Sequence, residues 1–393
     1  MKINSLTING IGGIKHLDLK FNDKLNVICG ANGIGKSTIL NIIADAFNAG
    51  YKSKLKRNAL YTTGKYNIKI SDIVDNKCQQ KEVNIKVTNF QPEESIYTGK
   101  WSDDAKKFLF FNIERNINYI TLNSISRDPN RENYTIGTIA KSGVQADDIK
   151  NWFVNRYMFI DKNDSLKSEQ IQNFNLAQKS FSILDNTINF KTVIANTFDI
   201  ILSTPNGDIY FEYLSSGYKS CIYIILGIIK EIEYRYNESP INVNNFDGII
   251  AIDEIDLHLH PTWQAGLVEA LKTIFPRVQF ILTTHSPSIL QILEKDEIIA
   301  LGHDDNNDIY VKNLKLGKYG LQGWTLEEIL QYVMEMPSTS SQLYLNTIKN
   351  FDKAMNDENK DEILKQYNLL KEMLHPNNPL LSLLSIQVAE WED

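Results

Sequence analysis

Residues 25–38, LNVICGANGIGKST, decide the fold. Leu25 to Cys29 reads as a short buried strand that runs straight into Gly30-Ala31-Asn32-Gly33-Ile34-Gly35-Lys36-Ser37. Beyond it, Ile39 to Phe47 carries helix-favouring residues (Leu40, Ala44, Ala46), and Asn48-Ala49-Gly50 stops the helix. Strand, glycine-rich loop and helix in this order form a phosphate cradle. The glycines let backbone N–H groups curl around phosphate oxygens, and the helix N-terminus adds partial positive charge. Lys36 reaches the β- and γ-phosphates, and the Ser37 hydroxyl ligates Mg²⁺.

Working outward, Gly248-Ile249-Ile250-Ala251-Ile252 is an apolar strand that ends in Asp253 and Glu254. Two adjacent acids at a buried strand end are costly unless they hold a cation or do chemistry. Asp253 is the expected Mg²⁺ partner and Glu254 the general base that polarises the attacking water. Gln279 to Thr283 is the next apolar strand, followed by Thr284-His285-Ser286-Pro287. If these strands share one parallel sheet, Lys36, Glu254 and His285 all lie at its C-terminal edge, where α/β ligands bind. A further small, hydroxyl-bearing loop, Leu214-Ser215-Ser216-Gly217-Tyr218, opens an apolar helix expected from about 220 to 236, again with a helix N-terminus that suits an anion.

In this order the four elements resemble the Walker A, signature, Walker B and switch-histidine set of ABC ATPases. The wording of 253–261, DEIDLHLHP, with LSSGYKS at 214–220 and TTHSP at 283–287, resembles the ABC/SMC-like stand-alone ATPases of bacterial anti-phage defence, those of Septu- and PARIS-type systems in the OLD/RecF neighbourhood. The resemblance implies an α/β ABC-type head, a mainly parallel P-loop sheet with an N-terminal antiparallel β subdomain, a helical insertion and a small helical C-terminal module. It implies a slow ATPase with ATP and Mg²⁺ as cofactors. Asn32, Gly33, Gly35, Lys36, Ser37 and Thr38 of one copy, with Ser215, Ser216 and Gly217 of the other, would hold the nucleotide. Ser37 and Asp253 would hold the metal, and Glu254 and His285 would be catalytic. The implied partners are a second copy head to head, in a dimer or higher oligomer, and a separate effector nuclease, HNH-type if Septu-like or Toprim-type if PARIS-like. DNA binding in a RecF-like repair ATPase is the alternative reading. Gln145 is the candidate for the family's Q-loop glutamine, and Leu259-His260-Pro261 stands at the D-loop, with His260 where many ABC proteins carry Asp.

The remaining sequence sets limits. Its 393 residues suit one large domain with insertions or two unequal domains. No apolar stretch approaches the roughly 18 residues of a membrane span, and the start, MKINSLTING, alternates where a signal peptide would run apolar, so a cytoplasmic protein is expected. Cys29, Cys78 and Cys221 offer neither a disulfide framework nor a zinc site. A net charge of -7 argues against a nucleic-acid binder over the whole surface. The basic loop Lys52, Lys54, Lys56 and Arg57 reads as solvated, with DNA contact as the sharper alternative. Residues 2–8 and 14–21 alternate as antiparallel strands, as do Tyr66–Ile70 and Glu82–Val87. Helices are expected near 145–160, 168–187 and 262–274, and no heptad repeat marks a coiled-coil arm. The ATPase domain is expected over 1–310, with an insertion at 51–200, and a helical module over 311–393. In that module Thr325 caps a helix through Met334, and Leu381, Leu384, Val388 and Trp391 form a packing stripe.

Overall fold

Residues 1–48, 52–74, 77–98, 100–101, 103–115 and 118–391 are described by a computed structural model. Ala49 and Gly50, expected to end the first helix, lie outside them. The chain opens with β1 (Lys2–Ile11), β2 (Ile14–Lys20), β3 (Leu25–Cys29) and α1 (Lys36–Ala46). Then come β4 (Lys52–Ser53), β5 (Gly64–Val74), β6 (Lys77–Val87), β7 (Ile96–Tyr97) and β8 (Phe108–Phe111). Helices α2 (Asn133–Ser142), α3 (Ile149–Phe159) and α4 (Ser168–Ser180) precede β9 (Asn189–Val193), β10 (Ile200–Thr204) and β11 (Gly207–Tyr210). The site elements follow: α5 (Ser216–Arg235), β12 (Ile249–Ile252), α6 (Pro261–Ile274), β13 (Gln279–Thr283) and α7 (Pro287–Gln291). β14 (Ile298–His303), β15 (Ile309–Val311), α8 (Leu326–Glu328), α9 (Gln342–Asn356), α10 (Lys360–Met373) and α11 (Pro379–Val388) complete the order.

The central sheet runs β15-β14-β3-β13-β12-β8, parallel throughout except for β15. Its middle strands are apolar runs because both faces are covered. Alternate side chains divide between two cores. Val27, Leu109, Ile250 and Leu282 face the core that contains α5, while Ile28, Phe110, Ala251 and Ile281 face the one that contains α1 and the antiparallel sheet β2-β1-β5-β6. The α/β class and the N-terminal antiparallel sheet are as the sequence implies.

Three departures follow, of which the first two matter for the site. β8 lies within the stretch expected as an insertion, yet it is the edge strand of the central sheet and pairs with β12 from Ile249↔Phe108 to Ile252↔Phe111. The helix expected from about 220 begins at Ser216, because Ser215 caps it, its Oγ accepting from Tyr218 N at 3.3 Å. The segment expected as a helix over 168–187 ends at Ser180, and Asn189–Val193 is a strand.

The chain divides into two compact units, Met1–Glu335 and Met336–Asp393. Residues 311–335 belong with the first because β15 pairs with β14, and Leu321, Ile329 and Val333 join its core. The second has its own core of Phe351, Ile363, Leu370, Leu384 and Val388. Among the described residues no helix is long and apolar enough to cross a membrane.

Candidate functional site

The parallel ladder brings the C-terminal ends of β3, β13, β12 and β8 side by side, so the loops that follow them share one edge. After β3 the backbone turns through Gly30 (φ 141°), Gly33 (φ 77°) and Gly35 (φ 97°), values that L side chains rarely adopt. Gly35 then starts α1, whose first residue is Lys36. Lys36 is 5% exposed, and its ammonium donates to Gly30 O at 3.0 Å and Ala31 O at 2.9 Å. Burial lowers its pKa, opposed by Cys29 and by the Glu254, Asp253 and Asp256 carboxylates. An ammonium folded onto its own loop, inside a ring of turned glycine backbone, is suited to exchange those carbonyls for phosphate oxygens.

Ser37 Oγ donates to Asp253 Oδ1 at 3.1 Å, which joins α1 to the end of β12. Thr283, the last residue of β13, donates its hydroxyl to the same Oδ1 at 2.6 Å and accepts from Glu254 N at 2.7 Å. A hydroxyl and a carboxylate at the mouth of a phosphate loop are the hard oxygen donors that Mg²⁺ takes, so these residues fit ATP with Mg²⁺. Glu254 leaves the strand at φ 46°. The next turn brings Asp256 under the histidine loop, where its carboxylate accepts from Thr284 Oγ1 at 2.6 Å and His285 N at 3.2 Å. Burial, and then the Lys36 ammonium, pull the half-buried His285 below the usual histidine pKa, so its ring is neutral at pH 7.

Ser215 and Ser216 are exposed, whereas Gly217 is buried. A Cβ on Gly217 would stand 2.5 Å from His258 O, so α5 starts against the turn that follows Glu254. Among the described residues no hydrogen bond ties Ser215–Gly217 to the Lys36 loop; the Lys36, Asp253, Glu254 and His285 loops are drawn together without them.

One expectation changes. Gln145 does not reach the sheet edge: Val144 N donates to Phe110 O and Asn112 Nδ2 to Ser142 O, an antiparallel course that carries residue 145 toward the start of β8. Asn112 and Arg115 stand at the end of β8 instead. His260 caps α6, accepting from Thr262 N at 3.4 Å, so its ring is occupied locally. In the basic loop, Lys56 donates to the carbonyls of Gln91 and Glu94, and Arg57 lies 4.3 Å over the Phe90 ring. Both are engaged with their own chain.

The sequence pattern singled out neither Thr283 nor Asp256 nor Arg115. Arg115 is 4% exposed; its Nε donates to Asn112 O at 3.2 Å and its Nη2 to Asp253 O. Its role is invisible in the sequence because its partner is 138 residues away.

Residues 25–291 match the family described as AAA domain, putative AbiEii toxin, Type IV TA system. The chain is similar to the Septu protein PtuA of Bacillus thuringiensis, with 45% identity over 99% of this chain and 98% of that one. It is also similar to the retron Ec83 probable ATPase of Escherichia coli, with 28% identity over 50% of this chain but only 35% of that protein. Among solved structures, the SMC head bound to the C-winged helix domain of ScpA aligns with 81% of this chain and 99% of its own at a TM-score of 0.48 and 17% identity.

Proposed function

The chain belongs to the family described as AAA domain, putative AbiEii toxin, Type IV TA system, and to that of the Septu protein PtuA, and from this premise we propose an ATP-driven switch of anti-phage defence. In this reading two copies close head to head on ATP and thereby control an effector nuclease supplied as a separate chain. The observation that carries it is the hydroxyl and carboxylate chain Ser37, Asp253, Thr283 and Glu254 N beside the Lys36 loop, which makes one site from three strand ends.

ATP with Mg²⁺ supplies the phosphoanhydride and neutralises its charge. With ATP bound, Lys36 would leave the Gly30 and Ala31 carbonyls to pair with the β- and γ-phosphate oxygens, and Ser37 and Asp253 would hold the metal. Glu254 accepts a hydrogen bond from water and takes its proton as the oxygen attacks the γ-phosphorus and the bond to the β–γ bridging oxygen breaks, releasing ADP and phosphate. The neutral His285 donates a ring N–H to the γ-phosphate. Asn32, Gly33, Gly35 and Thr38 complete the cradle on this side. A cavity of about 440 Å³, lined by Gly12, Thr38, Asn41, Asp45, Ser53 and Lys54 among others, lies beside Thr38 and offers room for the base and sugar. Ser215, Ser216 and Gly217 would close on the γ-phosphate of the opposite copy.

Glu254→Gln tests the reading. The amide fills the same space and cannot take a proton, so ATP affinity should hold while turnover falls at least about a hundredfold. Light scattering should then find a trapped dimer with ATP and a monomer without. Wild-type turnover in this variant would remove Glu254 as the base. A tagged copy expressed with its neighbouring genes should retain a nuclease, and that complex should change with ATP.

A further inference from the structure

The peptide that joins Asp253 to Glu254 is held at both ends. Its carbonyl accepts from Arg115 Nη2, and its N–H donates to Thr283 Oγ1 at 2.7 Å. Because a peptide unit is rigid, fixing its plane fixes the ψ of Asp253 and the φ of Glu254 together. That φ is 46°, in the left-handed region that a side chain with a Cβ disfavours. Turning the plane over would return Glu254 to a common negative φ. It would also strip the carbonyl of its guanidinium and the N–H of its hydroxyl.

Arg115 is an expensive way to hold one carbonyl. The side chain is 4% exposed, and its Nη1 is buried without a hydrogen-bond partner. A buried cation with an unmade hydrogen bond costs stability that an apolar side chain of similar volume would not. What the arginine adds is geometry. Nε is fixed to Asn112 O at the end of β8, so Nη2 reaches Asp253 O from a defined direction. A lysine has no such fork.

We infer that Arg115 is a positioning residue for hydrolysis: together with Thr283 it locks the Asp253–Glu254 peptide in its left-handed setting and so fixes where the Glu254 carboxylate meets water. This rests on the proposed reading of Glu254 as the base. In this role Arg115 acts through Glu254, so its loss should appear in turnover and not in nucleotide binding.

The experiment uses the full chain with Arg115→Met, which keeps length and removes the donors, and Arg115→Lys, which keeps charge and one point of contact. ATP affinity and KM should stay within about threefold of wild type while kcat falls about a hundredfold in Arg115→Met and less in Arg115→Lys. Placed on Glu254→Gln, Arg115→Met should lower the residual rate no further, because the group it positions is already gone. Wild-type kcat in Arg115→Met overturns the inference. So does a parallel fall in affinity and kcat, or an undiminished further fall on Glu254→Gln. If Arg115→Met is insoluble, Arg115→Lys decides: reduced kcat at unchanged KM supports the role, and wild-type kcat refutes it. Wild-type turnover by Glu254→Gln alone would sink the reading of the base. An inactive Glu254→Gln beside a fully active Arg115→Met would sink only the inference.

Discussion

At φ 46°, Glu254 carries backbone strain of about 1–3 kcal/mol that its neighbours must offset. Thr283 is one of them, since a single hydroxyl serves both Asp253 Oδ1 and Glu254 N. Thr283→Val keeps the shape and orphans that N–H, so it should cost about 1–3 kcal/mol in urea unfolding and abolish turnover. Thr283→Ser should restore both, and a fully active Thr283→Val would remove the hydroxyl from the site. His285 gives a pH signature. Unfolded, it takes a proton near pH 6.5; folded, it does so only at lower pH, because burial and Lys36 oppose the charge. Below that value the unfolded chain binds more protons, so the His285 contribution is present above about pH 6.5 and is lost as pH falls toward the folded value. Between pH 7.5 and 5.5 the wild type should lose more stability than His285→Gln; parallel curves would contradict the assigned direction. Lys36 and Ser37 were legible in the sequence because they close a glycine-rich loop pattern, Asp253 and Glu254 because they directly follow an apolar strand, and His285 because it stands just past another. Thr283 and Arg115 were not, since their partners lie 30 and 138 residues away and no local spacing records them.

Among the elements, α5 shows how one helix serves both core and site. Its N-terminus rests on the turn after Glu254 through Gly217, and its far half carries Lys230, Glu231 and Arg235, all nearly fully buried. Glu231 accepts from Arg131 at 3.0 Å and lies 3.4 Å from both Lys230 and Arg235. Glu231→Ala would leave three cations without their shared carboxylate, and should cost about 3–5 kcal/mol in chemical denaturation. A loss under 1 kcal/mol would mean that water reaches the cluster. Gly217→Ala should also destabilise the chain without any nucleotide, by about 1–3 kcal/mol, because its Cβ presses on His258 O. The start of α5 was misplaced in the sequence because Ser215-Ser216-Gly217 has loop composition; the Ser215 cap bond and the Lys219 N–H donated to Ser215 O mark the first turn. β8 escaped for a different reason. Phe108–Phe111 is four apolar residues with no motif behind them, too short for periodicity to separate strand from helix. The strands β3, β12 and β13 were legible because each runs into a motif.

At the scale of the whole molecule, the proposed head-to-head dimer is the step in which Ser215 and Ser216 would act; among the described residues no hydrogen bond links them to their own Lys36 loop. Gly217 is a poor probe of that step, because any side chain there meets His258 O within its own chain. Ser216 is a better one: it is exposed, and it is the first residue of α5. Glu in a first helical turn is favourable to the fold, so Ser216→Glu should unfold at the wild-type denaturant concentration. Facing the γ-phosphate of the opposite copy, the same carboxylate would repel it. Like charges about 4 Å apart cost roughly 4 kcal/mol at an effective dielectric of 20, enough to weaken closure about a thousandfold. ATP should therefore still bind to Ser216→Glu, while turnover and ATP-dependent dimerisation are lost. Lys36→Ala should fail for the opposite reason, with its signature loop intact and its phosphate cation gone. Mixing the two tests whether the site is shared. A mixed dimer has one whole site, built from the Lys36 loop of the Ser216→Glu chain and the Ser216 loop of the Lys36→Ala chain. Neither variant closes with itself on ATP, so the dimers that form are mixed, each with one site of two, and up to about half of wild-type activity per chain should return. Wild-type hydrolysis by Ser216→Glu alone would end the signature assignment. If mixed dimers are recovered through two affinity tags and stay inactive, the two sites do not act independently, and a shared site firing singly is ruled out.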